Sequence, residues 1–257
     1  MQVIYAVTNN KGGVGKTHTV FHLAGAFAQA GKRVLVIDLD QQRNLTNLLL
    51  SEPPKETIYT VLANDVPLTE AIYPSSIERI WLVPASKELK LLDAALHDEP
   101  DGQVRLGIAL KELADNQQQQ FDYILLDCPP DLRLATRNAL AAAKSVIIPL
   151  EADRFSIEGL ADLVHTVNSM ARAVNPGLTI AGALISLFKP RRMVEQAYQA
   201  QLEQTKIPLF QTKIKDSTKY REAIARSRPI THYLPTSEQA EAFRNLANEL
   251  EHVYVES

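Results

Sequence analysis

One cysteine, Cys128, stands in 257 residues. It cannot close an internal disulfide or furnish a thiolate-rich zinc site, and its isolation points to a reducing compartment, the cytosol being the expected location. No run of about 18 apolar residues occurs, and the N-terminus lacks the charged, apolar and small-residue sectors of a secretory signal, so neither membrane spanning nor secretion is expected. Charge of one sign is not in excess, since 27 Lys and Arg face 30 Asp and Glu. That balance excludes a uniformly basic nucleic-acid binder but leaves room for a basic sector. The chain has no internal repeat, and its only low-complexity tract, Gln117 to Gln120, is expected to be the frayed end of a helix.

What is present suits a folded α/β unit. With 46% hydrophobic and 22% charged residues, the chain can bury enough surface to offset its ordering entropy. No linker divides it, so one domain over 1–257 is expected. Residues 2–8 are β-prone, a glycine-rich stretch follows, and an apolar-periodic run from Thr17 to Ala30 stops at Gly31. Val34 to Ile37 then forms a short apolar run ending at Asp38, as in a strand buried on both faces. Similar runs at Ile80–Val83, Tyr123–Leu126, Val146–Leu150 and Thr179–Leu187 alternate with helical stretches near 103–117, 133–143, 156–173 and 192–205. The alternation predicts a doubly wound, mainly parallel sheet flanked by helices. Five prolines break up Ser51 to Pro84, which is expected to be a peripheral insertion.

The chemistry begins at Asn10-Lys11-Gly12-Gly13-Val14-Gly15-Lys16-Thr17, between the first strand and first helix. Small residues let backbone N–H groups close around phosphate oxygens while the following helix directs its positive end at the same anion. Lys16 would reach the β- and γ-phosphates and the Thr17 hydroxyl would ligate Mg²⁺. The cradle is expected to run from Lys11 through Gly12, Gly13, Val14, Gly15, Lys16 and Thr17 to His18, with ATP and Mg²⁺ as its ligands. Asp38-Leu39-Asp40 closes the second strand, where carboxylates face the ligand crevice and orient Mg²⁺ or an attacking water. Taken alone, such a pair also suits a turn or helix cap. Tyr123-Ile124-Leu125-Leu126-Asp127 is an apolar strand ending in the carboxylate expected to hold Mg²⁺.

The string KGGVGKT, with a second lysine ahead of the glycines, resembles the deviant Walker A box of the ParA/MinD ATPases, a P-loop NTPase family. The resemblance runs from Val3 to about Leu250. It implies that Lys11 reaches across a nucleotide-sandwich homodimer to the partner subunit's phosphates. Asp38 to Thr46 looks like the family's DxDPQxNLT motif with Gln41 in place of Pro, and implies that Asp40 positions the hydrolytic water. Asp127-Cys128-Pro129-Pro130 is similar to its Mg²⁺-associated segment. Ile147 to Leu160 resembles its I-P…E-G-L stretch. Lys215 and Asp216 fall where members line the adenine, with Lys215 replacing a proline. Nitrogenase-type iron proteins of the same family need two cysteines per subunit and are excluded. Membrane-bound relatives end in a basic amphipathic helix. Here the C-terminal run sets Ala240, Phe243, Leu246, Ala247, Leu250 and Val253 among five glutamates and only Arg244, which favours core packing over a lipid surface.

Charge is uneven along the chain. Between Lys189 and Arg228, ten Lys and Arg face four Asp and Glu, and the remainder is strongly acidic. A basic sector on an acidic body suits DNA phosphates without base readout. Arg191, Arg192, Lys219 and Arg221 are the expected contacts. The chain opens on its first strand, with no N-terminal helix-turn-helix module expected. The combined expectation is an ATPase that dimerises with ATP, binds DNA non-specifically (nucleoid-associated when ATP-bound) and positions a plasmid, chromosome or protein cargo. A ParB-like or cargo-adaptor protein would stimulate hydrolysis. The alternatives are a positioning scaffold that does not use DNA, or a P-loop enzyme acting on a small molecule.

Overall fold

The computed structural model describes residues 2–116, 120–151, 154–188, 202 and 207–252, excluding the side chains of 154–158 and 252. Outside that description lie the helix expected over 192–205, Arg191, Arg192, Lys189, Lys206, Val253 and most of the glutamine tract.

Seven strands form one sheet in the order β3-β4-β2-β5-β1-β6-β7. They are β1 (Val3–Val7), β2 (Val34–Asp38), β3 (Tyr73–Pro74), β4 (Ile80–Val83), β5 (Tyr123–Asp127), β6 (Ser145–Leu150) and β7 (Thr179–Ile185). All neighbours pair in parallel except the two-residue β3, which runs antiparallel to β4 at the edge. From β1 the chain builds first to one side and later, through β6 and β7, to the other. The direction reverses at β1, where the crevice of an open α/β sheet forms at the carboxyl ends of the strands.

Successive strand residues serve opposite faces. Val34 and Val36 enter one core with Tyr5, Val7 and Leu125, whereas Leu35 and Ile37 enter the other with Ala6, Ile124 and Leu126. The first core is closed by α1 (Lys16–Gln29) and by three helices late in the chain, α8 (Thr218–Ala225), α9 (Ile230–Tyr233) and α10 (Glu238–His252). The second is closed by α3 (Ile58–Asn64), α5 (Arg105–Asp115), α6 (Leu134–Ala142) and α7 (Arg154–Ala173), while α2 (Asn44–Leu49) and α4 (Leu92–Ala95) are short connectors. Ala240, Phe243, Leu246, Ala247 and Leu250 of α10 are all buried, so its apolar stripe is spent on the core. Among the described residues no helix is long and apolar enough to cross a membrane.

Two expectations need correction. The Ser51–Pro84 stretch is not peripheral: Ile58, Leu62 and Ala71 are fully buried in the second core, and β4 pairs with β2. Its prolines separate short pieces without exposing them. The last strand also stops at Ile185 rather than Leu187, whose φ of 55° turns the chain away. Beyond it, residues 209–215 return parallel to β7 through isolated bridges, Ala183 to Leu209 and Phe188 to Lys215.

Candidate active site

The loop between β1 and α1 is tied to three other elements. Asn9 Nδ2 donates to the Pro149 carbonyl of β6 at 2.8 Å, Asn10 Nδ2 to the Gly159 carbonyl of α7 at 3.4 Å, and Ser186 Oγ, just past β7, to the Val14 carbonyl at 2.6 Å. Gly13 and Gly15 take φ of 78° and 91°, a region closed to most side chains, which lets the loop fold back over the helix end. No side chain caps α1, so its first N–H groups are left for an anion. Lys16 is 8% exposed and donates from Nζ to the Lys11 carbonyl at 2.9 Å. Burial lowers its pKa, while Asp127, Cys128, Asp40 and Asp131 act in the opposite sense.

A cavity of about 230 Å³ opens here, walled by Gly12, Gly13, Gly15, Lys16, Thr17, His18 and Asp40, with Asn44 and Pro130 completing it. Lys11 is not among the walls; its N–H donates to Asn9 Oδ1 at 3.0 Å and the residue is half-buried.

Two buried carboxylates end the neighbouring strands β2 and β5. Asp38 and Asp127 stand opposite one another in the β2–β5 register. Asp38 accepts from Thr46 N at 2.9 Å, Thr46 Oγ1 at 2.7 Å and Asp40 N at 3.1 Å. Burial still pushes its pKa up to about 6, with the Asp40 charge adding to the rise against those hydrogen bonds. Asp127 is 1% exposed, and neither carboxylate oxygen has a hydrogen-bond partner among the described residues. Burial, then the Asp38 charge, holds its pKa well above the carboxylate range, and the nearby Thr17 hydroxyl and Lys16 ammonium counter only part of that.

An orphaned buried carboxylate beside a threonine hydroxyl fits a hydrated divalent cation. Among the described residues no cluster of three or more His, Cys, Asp or Glu holds a metal unaided, so the remaining ligands would be nucleotide oxygens and water. Asp40 lines the cavity while its Oδ1 accepts from Gln42 N at 2.9 Å. It is thus both a turn cap and a cavity carboxylate, the two roles its position suggested.

Other expected site residues are placed differently. His18 walls the cavity, and its ring packs edge-on against His22 and Tyr220, with ring centroids at 4.5 and 4.6 Å. Lys215 sits beside the end of β7 but does not line the phosphate cavity; its Nζ lies 3.4 Å from Glu238 Oε2, at a separate cavity of about 590 Å³ against α10. Asp216 N donates to the Phe188 carbonyl at 3.1 Å, and Asp216 pairs with Arg221 at 3.6 Å. Lys219 and Arg221 are exposed on α8. Sequence reasoning passed over Asn9 and Ser186 as site supports and placed Asp38 in the crevice pair without a role of its own. Asp38 had a signal as the first carboxylate of the pair, whereas Ser186 had none, since its contact spans 172 residues.

Glycine loop, ammonium, hydroxyl and buried acid at the carboxyl ends of parallel strands define a P-loop nucleoside triphosphatase. The AAA domain family model matches residues 1–180. The chain is 35% identical over 250 residues to the chromosome partitioning protein ParA of Myxococcus xanthus, covering 96% of this chain and 87% of that one. It is 34% identical to the sporulation initiation inhibitor protein Soj of Bacillus subtilis, covering 97% and 98%. Among solved structures, a cobyrinic acid a,c-diamide synthase from Mycobacterium smegmatis with bound ATP analog and magnesium superposes with a TM-score of 0.87 at 28% identity, over 100% and 97% of the two chains. The chain belongs to the ParA/MinD family of P-loop ATPases.

Proposed function

We propose that the chain is a partition-type ATPase in which ATP closes two copies into a sandwich and hydrolysis reopens it. The observation that carries this reading is the Lys16 ammonium parked on the Lys11 carbonyl at 2.9 Å, beside an unpartnered Asp127. An incoming triphosphate offers Lys16 a better acceptor and frees the Lys11 carbonyl. Lys11, which is not in the cavity wall, extends to the phosphates of the second copy, and a second ammonium there stabilises charge on the transferred group. Asp40 orients the water. Magnesium, held by Thr17 and through water by Asp127, supplies neutralisation of the phosphate oxygens.

Dimerisation joins two weak basic sectors into one surface for DNA phosphates, and paired sites bind far more tightly than one. Lys219 and Arg221 on α8 are its contacts within the described residues, with Arg191 and Arg192 assigned from sequence alone. A cargo adaptor that stimulates hydrolysis sets the timing, and the ATP-bound protein sits on the nucleoid. Relatives described as partition proteins over nearly the whole chain support this reading above that of a small-molecule enzyme.

The test is fluorescence anisotropy of a random-sequence duplex with ATP, ADP or no nucleotide at two salt concentrations. Binding that requires ATP and falls steeply with salt is expected; no binding in any state, with ATP-dependent dimerisation intact, removes DNA and leaves a protein scaffold. In parallel, Asp40→Ala should dimerise with ATP yet turn over about a hundredfold slower. Parent-like phosphate release would take Asp40 out of the chemistry.

A further inference from the structure

We infer that Asn10 is a positioning residue for Lys11 and that Gly159 of α7 is its seat, an inference that rests on the proposed role of Lys11. The Lys11 backbone is clamped on both sides, its N–H on Asn9 Oδ1 at 3.0 Å and its carbonyl under Lys16 Nζ at 2.9 Å. The two asparagines that precede Lys11 are anchored on different elements: Asn9 on β6 through Pro149, and Asn10 on α7 through the Gly159 carbonyl at 3.4 Å.

Gly159 needs a reason to be glycine. It lies inside a 20-residue helix, and its φ is not positive, so no special backbone conformation calls for it. Glycine in a helix interior costs about 1 kcal/mol relative to alanine. Space supplies the reason: a Cβ on Gly159 would lie 3.1 Å from Asn10 Oδ1, 3.5 Å from Nδ2 and 3.7 Å from Cγ. The amide of Asn10 therefore presents its oxygen and nitrogen edge to the bare backbone of α7. Asn10 is bonded directly to Lys11, so a displacement of Asn10 passes to Lys11, whose long side chain magnifies a small backbone shift at its tip. The helix α7 thereby sets the aim of the lysine.

Gly159→Ala is the direct test, because alanine strengthens the helix and any loss cannot come from weakening it. Turnover is expected to fall about tenfold or more, together with ATP-dependent dimerisation, while the thermal midpoint holds or rises. ATP affinity of the monomer should stay within about twofold, so the loss is in kcat. Asn10→Ala removes the amide that the new methyl strikes, so Gly159→Ala should cost nothing further in an Asn10→Ala background. A Gly159→Ala protein with parent-like turnover overturns the inference, as does an equal loss in both backgrounds. Lys11→Ala, sedimented alongside with ATP, keeps two failures apart. If it dimerises like the parent, the role of Lys11 fails; if it stays monomeric while Gly159→Ala is parent-like, only the positioning by Asn10 fails.

Discussion

Arg105 and Asp127 both carry ionisable side chains largely withdrawn from water, and the fold treats them oppositely. Arg105, 12% exposed at its side chain, opens α5 and uses four of its five guanidinium N–H donors within the protein. Nε donates to Asp101 at 3.1 Å, Nη1 to the Leu62 carbonyl and Asp65 at 3.0 Å each, and Nη2 to Glu99 at 2.9 Å. That network clasps α5 to the end of α3 and is finished as it stands. Asp127, at the end of β5, has no partner for either oxygen among the described residues. A charge that the fold needs for its own sake is paired, because burying it unpaired costs several kcal/mol. A charge left unpaired at the end of a sheet marks a site completed from outside.

The comparison breaks most sharply at Asp127. Asp127→Asn keeps the shape and removes the ionisable group, so magnesium-dependent turnover should fall about a hundredfold or more. The ligand-free protein should melt about 2–4 °C higher at pH 8, because a costly buried carboxylate is gone. A lower melting point would mean that Asp127 has structural partners after all. At the paired charge the pattern should invert. Arg105→Met strands three carboxylates and the Leu62 carbonyl, and about 2–3 kcal/mol of stability should be lost in urea titration. ATP affinity should be unchanged. A loss under about 0.5 kcal/mol would place Arg105 with surface ion pairs of little consequence.

The same contrast explains what was legible in the sequence. The loop from Lys11 to Thr17 and the strand-end position of Asp127 could be placed because the signal is local, a glycine-rich stretch between strand and helix and an acid closing an apolar run, whereas Asp40 needed the family resemblance to set it apart from a turn cap. The strands β2 and β4 could be read because burial on both faces leaves a continuous apolar run. Helices α8 and α9 escaped, since eight- and four-residue helices carry too few turns for a periodic stripe. The burial of Ile58 and Leu62 escaped because proline spacing reports interruption and not depth. Ser186 and Gly159 escaped as loop supports because their partners, Val14 and Asn10, are far away in the chain and only the sheet brings them together. His18 was assigned to the nucleotide by its place after Thr17, and it walls the cavity with its ring packed against Tyr220.

That ring provides the smallest of the expected effects. Burial pushes the His18 pKa down to about 4, and burial with the His18 charge pushes that of His22 well below the usual imidazole value. Ile230 N donates to His22 Nδ1 at 2.9 Å, which leaves the ring proton on Nε2, and Nε2 of neither histidine has a hydrogen-bond partner among the described residues. Nothing in the cluster of Tyr220, Phe243 and the two imidazoles welcomes a second proton. An unfolded histidine takes up its proton near pH 6.5, whereas folded His18 resists until about pH 4. The unfolded state therefore binds more protons in that window, so this part of the stability is complete above about pH 6.5 and drains away as pH falls toward 4. His18→Leu removes one of the two titrations. Between pH 7.5 and pH 5 the variant should lose about 1–2 kcal/mol less than the parent, read from urea midpoints at the two pH values. Equal losses would mean that the His18 ring reaches water and protonates as freely in the folded chain as in the unfolded one.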